Sequence, residues 1–185
     1  MIIDINEFIK INLHDEVFGV ETDTVYGLGC LLKSKEAVKR IYKIKGREFN
    51  KPLAVLCGNL DQVKELVSNF NEGEELAKKY WPGALTLIFD KKDDSLNYIT
   101  SGFSTIGIRI PNNEKIRKII NTFGPIVMTS LNKSHEKEIL KFEDALEFNE
   151  ELDYLIIGKD LDNIPSTVYD VKNKKTLRNG KICIK

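Results

Sequence analysis

Arg109 lies in "STIGIRIP", residues 104–111, where a guanidinium interrupts an otherwise apolar, strand-like run. A buried cation without a partner is costly, so the position calls for an anion, and a ligand or an internal carboxylate would serve equally well. Arginine is scarce here. Of the 28 basic residues only Arg40, Arg47, Arg109, Arg117 and Arg178 are arginines, and three of them stand in motif-like stretches. Arg47 belongs to "KIKGREFNKPL", where it joins Lys45 and Lys51 around Gly46 as donors suited to phosphate oxygens. Positive charge at a helix C-terminus also answers the helix dipole, so a solvated basic end explains the same residues. Arg178 belongs to "LRNG", 177–180.

Hydroxyl and amide groups recur beside these cations. "MTSLN" puts Ser130 and Asn132 two residues apart at a strand end, where an extended chain would turn both to one side. They could contact a phosphate or nucleotide there, or cap a following helix. "PSTVYD", 165–170, repeats the pattern with Ser166 and Thr167. "ETDTVYGLG", 21–29, offers the hydroxyls of Thr22 and Thr24, with Gly27 and Gly29 allowing close approach; a tight turn with locally bonded side chains is the plainer use. His14 and His135 are the only histidines, which excludes a histidine-rich metal centre and leaves a Ser-His-Asp triad little material. Neither GxxxxGK[ST] nor GxGxxG is present, so a nucleotide would be held without either fingerprint.

The elements that must position these residues alternate. A short amphipathic helix is predicted over 4–13, then a buried strand in "EVFGVET" that opens a loop from Asp23 to Leu32. Ser34 caps a helix, "KEAVKRIYKIK", with Ala37, Val38, Ile41 and Ile44 on one face and Gly46 at its end. Strands are expected at 52–57, 84–89, 104–111 and 125–132, and helices at 60–70, 73–80 and 113–123. "DKKDDSLN", 90–97, suits a solvated loop. The tail supplies "YLIIG", "STVYDV" and "KICIK", expected to extend the sheet antiparallel. The pattern predicts a single α/β domain over 1–185, built on a twisted mixed sheet with flanking helices; strand ends are the usual ligand crevice in such sheets.

Lys plus Arg equals Asp plus Glu, at 28 each, so any electrostatic site is local rather than global. Cys30, Cys57 and Cys183 are odd in number and form no CxxC pair, which argues for a reducing compartment over a disulfide framework or cysteine zinc site. The N-terminal stretch is broken by Asp4, Glu7 and Lys10, so neither a signal peptide nor a membrane span is expected, and the chain is placed in the cytoplasm.

Taken in order, "ETDTVYGLG", "KGREFNKPL", "WPGALTLIF", "STIGIRIP", "TSLNKS", "PSTVYD" and "LRNG" resemble the YrdC/TsaC family, the threonylcarbamoyl-AMP synthases, over residues 15 to 182, with the single-domain bacterial type closer. The resemblance implies a sheet that curls around a concave site. It also implies that L-threonine, bicarbonate or CO2, and ATP give L-threonylcarbamoyladenylate and pyrophosphate. The partners implied are tRNA and a downstream threonylcarbamoyl-transfer complex, with Mg²⁺ arriving on the ATP phosphates. By position, Lys45 and Arg47 resemble the catalytic pair that holds the phosphates. Ser130, Asn132 and Arg178 resemble nucleotide contacts, and Thr24, Arg109 and Ser166 resemble the residues around threonine, with Arg109 facing its carboxylate. No metal ligand is implied among the side chains. The sequence departs from the family pattern at Glu21, Glu48, Ala84, Leu131 and His135, and the two glutamates would add negative charge near a phosphate site. A non-catalytic module of the same fold binding double-stranded RNA or tRNA is the competing reading, and carbamoyl transfer, as in hydrogenase-maturation proteins with a related domain, ranks below it.

Overall fold

In the computed structural model, which describes residues 1–184, alternating apolar segments form ten strands in one mixed sheet. The strands are β1 (Ile2–Ile3), β2 (Phe18–Glu21), β3 (Tyr26–Leu31), β4 (Ala54–Leu56), β5 (Leu85–Asp90), β6 (Thr105–Arg109), β7 (Ile126–Ser130), β8 (Tyr154–Ile156), β9 (Thr167–Asp170) and β10 (Lys175–Arg178). Their spatial order is β1-β8-β2-β3-β7-β4-β6-β5-β9-β10. The helices are α1 (Ile5–Phe8), α2 (Lys35–Lys45), α3 (Leu60–Leu66), α4 (Glu74–Tyr80), α5 (Asn97–Thr100), α6 (Glu114–Phe123) and α7 (Phe142–Ala145).

Helix α2 follows its sequence signals closely. Ser34 accepts from the Ala37 amide, Ala37, Val38, Ile41 and Ile44 are buried, and Gly46 ends the helix in the left-handed region at φ 56°, a conformation that suits a residue without a β-carbon. Helix α6 starts at Asn113, whose side chain accepts from Ile116, and buries Ile116, Ile119 and Ile120. These helices divide the core between the two faces of the sheet. Tyr26, Leu28, Cys30, Val55, Ile106, Ile108, Leu85 and Leu87 pack on the α2 side. Phe18, Val20, Ile126 and Ile156 pack with α1 and α6 on the other. The second face is covered only toward the β1 end, and from β7 to β9 it stays open as a hollow.

Several expectations are corrected. The loop from Asp23 to Leu32 is confined to residues 22–25, because Tyr26–Leu31 is a fully paired central strand that forms a hairpin with β2 and also pairs with β7. Gly27 and Gly29 resemble loop residues in sequence, yet they lie in this strand because the Met128 side chain occupies the space their side chains would need. The tail does not extend the sheet antiparallel as a block. β8 inserts parallel between β1 and β2, β9 joins β5 in parallel, and only β10 runs antiparallel, against β9. Residues 181–184 of "KICIK" form no strand, and Lys185 lies outside the described residues. The first helix shrinks to Ile5–Phe8, and that at 60 ends at Leu66, where Val67 turns extended and bridges to Lys91. The stretch 90–97 is more ordered than a solvated loop: Asp90 completes β5, and the turn at 94–96 buries Leu96. Among the described residues no helix is long and apolar enough to cross a membrane.

Candidate active site

The hollow holds about 380 Å³, and its floor follows from the period of two along a strand. Ala54 and Leu56 of β4, Thr86 and Ile88 of β5, and Gly107 and Arg109 of β6 all face it, as do Met128 and Ser130 of β7. The turn between β2 and β3 forms one wall through Thr22, Thr24 and Val25; Pro165 and Ser166 with Leu177 and Arg178 form another. Arg47 enters from the loop after α2. Three arginines 131 positions apart at their extremes thus share one cavity, although the chain as a whole has no net charge.

Arg109 is 6% exposed, and its anion in this structure is Asp23. Nη2 donates to Asp23 Oδ1 at 2.5 Å, Nη1 to Thr24 Oγ1 at 3.1 Å and Nε to the Gly83 carbonyl at 2.9 Å. The other oxygen, Asp23 Oδ2, is buried with no protein partner. Thr24 in turn lies 3.0 Å from Thr22 Oγ1, which donates to the Val25 carbonyl at 2.7 Å and accepts from the amides of Thr24 and Val25. The bonded turn and the site residue are therefore the same object: local hydrogen bonds hold Thr24 against Arg109.

Arg178 is exposed, yet its guanidinium bonds inward to Ser166. Nε donates to the Ser166 carbonyl at 3.0 Å and Nη2 to Ser166 Oγ at 3.1 Å, while Ser166 Oγ lies 2.9 Å from Thr86 Oγ1. Burial lowers its pKa from the ordinary arginine value; Glu138 opposes that shift, and Arg109 and Arg47 add to it. Arg47 donates from Nη2 to the Pro52 carbonyl at 3.0 Å, and its Nε is buried without a protein partner. Burial lowers its pKa too.

Lys45, at the last position of α2, is buried behind the cavity wall. Its ammonium donates to the carbonyls of Ser130 (2.6 Å) and Asn132 (2.8 Å) and to Asn132 Oδ1 (3.0 Å), all neutral acceptors. Burial and then Arg47 push its pKa down to about 8. This clamp closes the end of β7. Ser130 and Asn132 do not face one way, because the strand stops at Ser130 and the chain turns, the Asn132 amide donating to the Ser130 carbonyl at 3.1 Å. Ser130 lines the cavity, whereas Asn132 lines a second hollow of about 260 Å³ with Glu136 and Glu138. Neither caps a helix, since α7 begins only at Phe142.

Glu21 and Glu48 do not load the cavity with negative charge. Glu21 is buried, accepts from the Lys159 amide and pairs with Lys115 at 3.4 Å; Glu48 is exposed, and neither lines the hollow. Sequence reasoning missed Asp23 as the partner of Arg109 and Thr86 as the partner of Ser166. Asp23 stood within a quoted motif, but nothing local indicates a contact 86 residues away. Thr86 had a signal in hindsight, a hydroxyl within the apolar run "ALTLIF".

The family model for Sua5, YciO and YrdC, described as telomere recombination, matches residues 11–180. The chain belongs to the Sua5/YciO/YrdC family. Among its relatives, a threonylcarbamoyl-AMP synthase of Bacillus subtilis is 39% identical over 132 residues, covering 70% of this chain and 38% of that protein. A threonylcarbamoyl-AMP synthase of Buchnera aphidicola is 29% identical over 170 residues, covering 89% of this chain and 97% of that one. The crystal structure of Pyrococcus abyssi Sua5 complexed with L-threonine superposes with a TM-score of 0.91 at 30% identity, covering 97% of this chain and 57% of that one. The chain thus spans less than two thirds of the Bacillus and Pyrococcus proteins and nearly the whole of the Buchnera one. The twisted mixed sheet expected from the sequence is the Sua5 fold.

Proposed function

We propose that this chain forms L-threonylcarbamoyladenylate and pyrophosphate from L-threonine, bicarbonate or CO2, and ATP, in the cytoplasm, for the threonylcarbamoyladenosine modification of tRNA. One observation carries the reading: Arg47, Arg109 and Arg178 reach a single hollow from three distant segments, interleaved with the hydroxyls of Thr24, Ser130 and Ser166. The likeness to a family member that holds L-threonine supports it. The cations divide the hollow. Arg109 with Thr24 suits the threonine carboxylate, which would share or replace Asp23 as its anion. Arg47, with an unpartnered buried Nε, suits phosphate oxygens, together with Lys45 behind the wall and Arg178 opposite.

The protein then supplies position and charge rather than a nucleophile. A carbamate on the threonine nitrogen attacks the α-phosphorus, the bond to the bridging oxygen breaks, and pyrophosphate leaves in line, its charge met by the guanidiniums. Mg²⁺ would arrive with the substrate as MgATP, held through its phosphates. The adenylate is passed to a threonylcarbamoyl-transfer complex that acts on tRNA.

The test is incubation of the protein with ATP, Mg²⁺, bicarbonate and L-threonine, reading pyrophosphate and the adenylate by mass spectrometry. Product is expected only with all four present. Lys45→Ala and Arg47→Ala are each expected to lower it at least tenfold, a loss of about 1.4 kcal/mol of transition-state stabilisation. Full turnover by both variants would remove these residues from the reaction.

A further inference from the structure

One row of residues runs across the sheet and into the floor of the hollow, and it has little bulk except at a single point. Gly29 of β3 lies opposite Met128 of β7, Met128 opposite Ala54 of β4, and Ala54 opposite Gly107 of β6. Met128 is the only long side chain among these four, is 5% exposed, and lines the hollow. Its thioether lies across β3. A β-carbon added at Gly27 would stand 2.5 Å from Met128 Sδ, and one at Gly29 would stand 2.7 Å from Met128 Cε, so the two glycines together form the recess that Met128 fills. On its far side Met128 joins Ile126 and Leu56 in the core beneath α6.

The recess adjoins the turn that anchors Arg109. A β-carbon on Gly27 would also meet Thr22 Cγ2 at 3.3 Å, and Thr22 holds Thr24 against the guanidinium. The thioether, Thr22 and Val25 therefore give this end of the hollow its apolar surface. Methionine suits such a place because it is unbranched and can shift along a groove, so its position sets how much room remains.

From this we infer that Met128, laid over Gly27 and Gly29, is the stop that gauges the side chain of the amino acid whose carboxylate Arg109 takes. The inference rests on the amino-acid site proposed above and adds what sets its size. Met128 touches the methyl of threonine, which serine lacks, and excludes a chain one methylene longer.

The experiment is calorimetric binding of L-threonine, L-serine and 3-hydroxynorvaline to the full chain and its variants, with adenylate formation measured in parallel. Met128→Ala is expected to lower the threonine-to-serine affinity ratio at least threefold and to raise the 3-hydroxynorvaline-to-threonine ratio about fivefold or more, part of the roughly tenfold or more that a whole methylene is worth in an apolar pocket. Met128→Leu, a nearly volume-conserving swap that keeps the fold, should shift both ratios the same way by at least twofold. Gly27→Ala, which drives the thioether into the hollow, should weaken threonine more than serine. Ratios unchanged from wild type in both Met128 variants overturn the inference, whatever the turnover. If wild type binds threonine and the ratios shift while no adenylate forms, the gauge stands and the proposed reaction falls. If wild type binds no threonine, both fall.

Discussion

Lys45 makes the charge balance of the site measurable. Its pKa of about 8 in the free protein follows from burial first and Arg47 second, with Lys133 adding and Glu138 opposing. Its three acceptors are neutral oxygens that offer no compensating charge. A single phosphate charge about 5 Å away, at an effective dielectric constant of about 20, is worth about 3 kcal/mol, or about 2.4 pKa units. That is enough to return the ammonium to the ordinary lysine range. Nucleotide binding must then take up a proton wherever the free protein has lost one. The uptake is about 0.1 proton at pH 7, about 0.5 at pH 8 and about 0.9 at pH 9, and affinity falls about tenfold between pH 7 and pH 9. The assay is titration calorimetry of a non-hydrolysable MgATP analogue at the three pH values, in two buffers of different ionisation enthalpy. Lys45→Met keeps the stem and removes the titrating group, so its binding should be weak and free of buffer dependence. An uptake near zero at pH 8 and pH 9 in the wild type would refute the reasoning, as would an equal uptake in Lys45→Met. The same group has a stability signature. A folded pKa below the unfolded one opposes folding fully below pH 8 and ceases to above the unfolded value of 10.5, so its contribution to stability rises with pH between those limits.

Three further outcomes are expected. Asp23→Ala leaves Arg109 buried without an anion, with both side chains about nine-tenths buried, and should cost about 3 kcal/mol in urea unfolding; the double variant with Arg109→Met should lose less than the two singles together. Ser166→Ala strips a partner from both Arg178 and Thr86, so it should lower stability by about 1–2 kcal/mol and weaken MgATP by about tenfold, read by unfolding and calorimetry on the same preparations. Excess chelator should abolish adenylate formation yet leave the unfolding midpoint within about 1 °C if, as proposed, Mg²⁺ travels with the nucleotide; a fall of several degrees would point to a metal held by the protein itself.

The sequence made the arginines of the candidate site more legible than the sheet, while Lys45 and Asn132, expected with them, stand outside the hollow. Arg109 declared itself because an apolar strand tolerates a guanidinium only beside an anion, and Arg47 and Arg178 stood out because lysine supplies most of the remaining positive charge. Their convergence was carried by the ordered motifs rather than by any local pattern, since strand pairing joins segments far apart in the chain. Helices α2 and α6 could be placed from caps and a 3.6-residue period, both local properties. β3 was missed for a related reason. "YGLG" alternates buried Tyr26 and Leu28 with glycine, and glycine signals a loop unless the reader knows that Met128, about 100 positions later, lies over those very residues.

The same dependence on distant partners explains why Arg109 admits two anions in sequence and only one in the structure. A ligand and Asp23 satisfy the same physical demand, and the chain needs an internal carboxylate if Arg109 is to remain buried and aimed before any substrate arrives. Asp23 meets that need with one oxygen and leaves the other buried without a protein partner. On the proposed reading, a carboxylate that grips with one oxygen can yield part of its hold on Arg109 to a threonine carboxylate, while Thr24, fixed by the Thr22 turn, would keep the guanidinium in place during the exchange. Asp23→Asn removes the charge but retains an acceptor for Arg109, so it should destabilise the fold less than Asp23→Ala and bind threonine more tightly than wild type. Weaker threonine binding in a folded Asp23→Asn protein would instead make Asp23 part of the bound state.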